Sequence, residues 1–183
     1  MQQILPPPRL VLLGLGAASD PDGPARRLPA AAERLSRLCG LPRLPIDAAA
    51  ETTTALTALQ GCQGPWLADL PIDPGLWRPQ GRWAEALGAW RQPCLLLIAP
   101  GQLASGLPAA GTALLERWGV PLLGLIQHGG AWEPGSRRRD GLPWLGWLAA
   151  DAEASRAEGA QATDAQLLLT LQARWRRLMA ELA

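Results

Sequence analysis

Short, unbroken apolar runs alternate along this chain with stretches in which apolar residues recur every three or four positions. Leu10–Leu15 (LVLLGL) is the first run and gives way to Gly-rich loop chemistry. Leu28, Ala31, Ala32, Leu35 and Leu38 then keep helical spacing, with Pro24 suited to the first turn and Gly40 to the stop. Leu44–Ile46 predicts a short strand that Pro45 weakens. Thr52–Gln60 predicts a helix and Pro65–Leu70 (PWLADL) a strand. Trp83, Ala86, Leu87 and Trp90 mark the next helix, and Cys94–Ala99 (CLLLIA) is the clearest buried strand. Leu103, Leu107, Ala110, Leu114 and Trp118 share one helical face, closed by Gly119. Val120–Ile126 and Pro143–Leu148 predict the last two strands. Ala149–Ala162 is a small-residue, acidic stretch, read as a loop or a frayed helix start. Thr163-x-x-Gln166 reads as a capping box that opens a final helix, whose apolar stripe includes Leu167, Leu171, Trp175, Leu178 and Leu182.

Strands this continuously apolar must be covered on both faces, which favours parallel pairing. The alternation of strand and helix predicts a three-layer α/β/α fold: a doubly wound, mainly parallel sheet of about six strands. Residues 1–183 are read as one domain, without internal repeat or linker.

Composition narrows the chemistry. All 17 cationic residues are Arg, and Lys, Asn, Phe and Tyr are absent. GC-rich codon usage explains that bias, yet it removes Schiff-base and lysine-nucleophile chemistry and the lysine of a standard phosphate loop. One His excludes a multi-histidine metal site. A net charge of +1 and 18% charged residues do not suit a nucleic-acid binder. Cys39, Cys62 and Cys94 have no C-x-x-C spacing and read as small buried hydrophobes in a reducing compartment. MQQILPPPRL lacks the features of a signal peptide, and no apolar run reaches about 18 residues, so a cytoplasmic protein off the membrane is expected. The nine Trp read either as core rings in place of Phe and Tyr or, where exposed, as interface anchors, with Trp77, Trp132 and Trp147 in or beside loops.

In such sheets, ligands bind beyond the carboxyl ends of the strands. Four loops lie there. Gly14–Pro24 follows the first strand, where a phosphate loop would sit, and its glycines would let amides approach an anion. Its best register against G-x-x-x-x-G-K-[ST] is Ala18-x-x-x-x-Gly23-Pro24-Ala25, which lacks the first Gly, the Lys and the Mg-binding hydroxyl. Asp20 and Asp22 would repel phosphate, whereas Arg26 or Arg27 would attract it. Asp69, with Asp73 beyond it, ends a buried strand where P-loop proteins hold Mg2+, or else caps the next turn. The third loop is Ala99-Pro100-Gly101-Gln102, with Ser105 and Gly106 downstream. The fourth is Gln127-His128-Gly129-Gly130, in which His128 is either a ligand contact or proton-transfer group or a solvated loop residue. Arg137–Arg139 reads as a phosphate or carboxylate clamp or as a solvated loop.

Trp83–Leu148 resembles the second half of dethiobiotin synthetases, within the P-loop superfamily that includes cobyrinic acid amide synthases and partition ATPases. The quotable order is WAEALGAWRQPCLLLIAPGQLASGLPAAGTALLERWGVPLLGLIQHGG followed by LPWLGWL. PWLADLP (Pro65–Pro71) is similar to that superfamily's Walker B strand, "DLPPG". Gly124-Leu125-Ile126-Gln127-His128 stands where "GVVLN" touches the adenine, so His128 replaces the base-reading Asn. The resemblance implies nucleotide contacts at Gly16, Gly23, Arg26, Gln127 and His128, a substrate side at Ser105 and Gly106, and Mg2+ at Asp69. The departures fall on the catalytic parts. A degenerate, non-hydrolysing binding or scaffolding protein, with a homodimer or another protein as partner, is therefore the first expectation. An ATP- and Mg2+-dependent ligase of biotin biosynthesis with a rebuilt nucleotide site is the second. LVLLGLGAASDPDGPARRLPAAAERLSRL also looks like the start of sirohydrochlorin-type chelatases, without their metal-binding His, which adds a tetrapyrrole or small-molecule binder as the third.

Overall fold

A computed structural model of the chain describes residues 8–17, 20–150 and 160–182. Residues 1–7 of the leader reading, Ala18 of the phosphate-loop register and most of the acidic stretch Ala149–Ala162 lie outside the described residues. Six strands, β1 (Arg9–Gly14), β2 (Arg43–Pro45), β3 (Trp66–Asp69), β4 (Cys94–Ile98), β5 (Leu122–His128) and β6 (Trp144–Leu148), form one parallel sheet in the order β2-β3-β1-β4-β5-β6. The helices are α1 (Pro24–Cys39), α2 (Thr52–Gly61), α3 (Trp83–Ala89), α4 (Leu107–Arg117), α5 (Pro134–Arg139) and α6 (Ala160–Leu182). The fold is three-layered α/β/α.

The strand order assigns the helices to faces. β1 to β2 moves one way across the sheet, and every later strand-to-strand step moves the other. Right-handed crossovers therefore send α1 to one face and α2, α3 and α4 to the other. The two hydrophobic clusters match. Leu28, Leu35, Leu167 and Leu171 pack from α1 and α6 against Leu10, Leu12, Leu95 and Leu97. Leu56, Leu59, Trp83, Leu87 and Leu115 pack from α2, α3 and α4 against Val11, Leu13, Leu96 and Ile98. Alternate residues of one strand serve opposite cores, which is why these strands read as continuous apolar runs.

Most element edges fall within two residues of the sequence reading, and the larger differences have local causes. Leu103 stands outside α4: a 3-10 turn covers Pro100–Gln102, and the helix begins at Leu107, with Pro108 in its first turn. Thr163 and Gln166 lie inside α6, which is already helical at Ala160, so Thr163 does not cap it. Arg137–Arg139 belongs to the short helix α5, not to a loop. Among the described residues, no helix is long and apolar enough to cross a membrane.

Candidate functional site

The carboxyl ends of β1 and β3 lie side by side, and their following crossovers go to opposite faces. That is the switch point at which open α/β sheets form crevices. Here the crevice is about 440 Å3 and is lined by Gly16, Ala17, Ile72, Asp73, Gly75 and Leu76.

Local backbone chemistry builds its floor. Gly16 takes φ 100°, a left-handed value costly for any residue with a Cβ. Its N–H donates to Asp73 Oδ2 at 2.7 Å. Asp73 Oδ1 accepts from Gly75 N at 2.7 Å. Ala17 N donates to Asp20 Oδ2 at 3.2 Å. Asp20 N returns to Ala17 O at 3.1 Å, and Gly23 N to Asp20 O at 2.9 Å. Each of these described amides is spent on an acceptor of the chain itself, and two of the acceptors are carboxylates.

This is the opposite of an anion nest. A phosphate needs free amides at a helix N-terminus. Two unit negative charges 4 Å apart repel by about 4 kcal/mol at an effective dielectric near 20. A hydrogen bond to a charged group contributes about 1.5–3 kcal/mol. Repulsion from Asp73 and Asp20 outweighs what one recovered amide would supply.

Neighbouring residues lock the loop. Gly23 caps α1, and a Cβ on it would overlap the Ala17 carbonyl, so packing rather than ligand approach demands this glycine. Arg27 ion-pairs with Asp22. Arg26 is exposed on the first turn of α1. Buried Gln102 donates from Nε2 to Leu15 O at 2.8 Å and accepts at Oε1 from Ala99 N at 3.0 Å, which ties the β1 loop to the β4 loop.

The other predicted residues lie apart from the crevice. Asp69 is buried, and its two oxygens accept from Arg43 Nε and NH2 at 2.7 and 2.8 Å. That bonding pushes the Arg43 pKa above its ordinary value. Among the described residues, no group of three or more His, Cys, Asp or Glu is arranged to hold a metal. Gln127 and His128 are buried in β5, and the sheet continues past them through Gly129 N to Leu148 O at 2.9 Å. His128 is therefore not a solvated loop residue. Gln127 Nε2 donates to Gly129 O and Ala131 O, both at 2.9 Å, so both amide hydrogens hold the following turn. Exposed Ser105 accepts from Leu107 N at 3.2 Å and starts α4 beside Gly106.

At the crevice rim stands Trp77, one of the loop tryptophans noted in the sequence, beside Leu76, which was not. Leu76 and Trp77 are 55% and 65% exposed. The Arg82 guanidinium stands 4.8 Å from the Trp77 ring centroid, and Arg82 Nε donates to Gly75 O at 3.1 Å. The signal available was an apolar pair, Leu76-Trp77, in a Pro- and Gly-rich stretch with no helical or strand period.

Trp66 and Trp83 are the only fully buried tryptophans among the described residues; Trp77, Trp90 and Trp118 are exposed, and the rest are half-buried. The core-ring reading is corrected accordingly for the exposed ones. The three cysteines are free; burial pushes the Cys39 thiol up to about 11 and the Cys94 thiol higher still. No family model matches the chain, and no curated protein matches it.

Proposed function

We propose that this chain is a degenerate, dethiobiotin-synthetase-like pseudoenzyme that binds or scaffolds rather than hydrolysing ATP. One observation carries the reading: Gly16 and Ala17 give their amides to Asp73 and Asp20, where a phosphate loop would present them to a nucleotide. Two further facts support it. The chain has no lysine. Asp69, which would hold Mg2+ in the ligase reading, has both oxygens engaged by Arg43. The exposed Leu76-Trp77 rim beside the crevice supplies the apolar surface that a partner would bury.

Calorimetric titration with Mg2+ and ATP, paired with a phosphate-release assay, tests the reading. The expected result is no saturable heat up to millimolar nucleotide and no phosphate released above the buffer rate. Sub-millimolar, Mg2+-dependent affinity would overturn it and revive the ligase.

A further inference from the structure

A second pocket lies at the other end of the sheet from β2, around the edge strand β6. It is about 380 Å3, within the size range of small-ligand sites, about 300–1,000 Å3. It opens between β6, the short crossover helix α5 of six residues, and α6. Trp132, Trp144 and Trp147 line it, with Arg137 and Arg138 from α5 and Thr163, Gln166 and Thr170 from α6.

The ring geometry is ordered. Trp132 and Trp144 meet edge to face, with centroids 6.3 Å apart. Trp144 Nε1 donates to both oxygens of Asp140, at 3.0 and 2.9 Å. The Arg137 guanidinium lies 5.2 Å from the Trp144 ring centroid, and its NH1 pairs with Asp140 at 3.7 Å. Among the described residues, two donors of the side chains around it are buried without an acceptor, Arg137 Nε and Trp147 Nε1.

The charge balance sets the sign of the ligand. Among the described residues, no Asp or Glu lines the pocket. Asp140 pairs with Arg137 and accepts from the Trp144 indole, and among the described residues no carboxylate pairs with Arg138. Aromatic walls set its shape, since a flat apolar body buries well against indole faces and edges.

We propose that this pocket binds a planar aromatic anion, with its ring system against Trp132, Trp144 and Trp147 and its carboxylate or comparable oxyanion toward Arg137 and Arg138. The site is separate from the β1–β3 crevice and does not depend on whether nucleotide binds there.

The test uses the whole chain and 2-naphthoate as probe, with neutral 2-naphthamide as control. Binding is read by calorimetry and by the nine indole N–H signals in a nitrogen–proton correlation spectrum. The expected result is saturable naphthoate binding that shifts the indoles of Trp132, Trp144 and Trp147 and spares that of Trp77. Naphthamide should bind about tenfold more weakly. Arg138→Gln, at an exposed position, should weaken naphthoate about tenfold, and Arg137→Gln should do so by at least as much. Arg139→Gln, on the same helix but outside the lining, should bind like the parent. Failure to bind naphthoate up to millimolar concentration would overturn the proposal. So would binding that Arg138→Gln leaves unchanged, or shifts confined to other tryptophans.

Discussion

At the scale of single residues, carboxylates do most of the local work. Glu51 caps α2 by accepting from Thr53 N at 3.0 Å and Thr54 N at 2.7 Å. Those backbone bonds hold its carboxyl down at about 2, from an ordinary 4.5. A carboxyl depressed in the folded state contributes stability that is complete above its unfolded value and fades as pH falls through the folded one. Glu51→Gln should therefore lower the thermal midpoint at neutral pH, and the difference from the parent should shrink between pH 4.5 and 2. A pH series of thermal melts checks this; a constant difference across that window would contradict it. The role of Asp73 was only half legible in the sequence. Its position beyond a buried strand marked it as near a site, but its partner is Gly16, 57 residues away. Period and propensity carry no information about such a pairing. The same holds for Asp69, whose bond to Arg43 crosses from β3 to β2.

At the scale of elements, the sequence was most readable where local chemistry and burial agree. α1 runs from Pro24 to Cys39, with Gly40 left-handed at φ 64° behind it, as its proline, stripe and glycine require. α4 was misread because Leu103 and Leu107 keep helical spacing across a break. Ser105 and Gly106 interrupt the backbone there, and Ser105 restarts it by accepting from Leu107 N. α6 was misread at its start because a plausible cap, Thr163, follows residues with good helix propensity. His128 looked like loop because Gly129 and Gly130 follow it, yet pairing with Leu148 keeps it in the sheet. Packing between α3 and α4 leaves Gly88 without tolerance. A Cβ on Gly88 of α3 would overlap the Trp118 carbonyl at the end of α4. Gly88→Ala must push two packed helices apart and should cost about 1–3 kcal/mol. Urea unfolding measures it; a neutral effect would mean that the α3–α4 contact is looser than the structure has it.

At the scale of the molecule, the sheet forms a crevice whose loops are bonded to one another. The six-stranded parallel sheet and its β1–β3 switch point are those of an open, doubly wound α/β architecture, which forms its crevice there. The crevice at that point is furnished with the chain's own anions, and its rim carries an exposed Trp-Leu pair. The absent lysine was legible from composition alone, while the carboxylates that take the amides became visible only once the loops were folded together. The most direct measurement follows the Gly16 amide itself, by nitrogen–proton correlation spectra during titration with Mg2+ and ATP. With Asp73 holding that N–H, the Gly16 resonance should stay in place to millimolar nucleotide and move when Asp73 is changed to Asn. A saturable shift of Gly16 by nucleotide in the parent chain would mean that the loop yields to phosphate, and would contradict the reading of this protein as a non-hydrolysing relative.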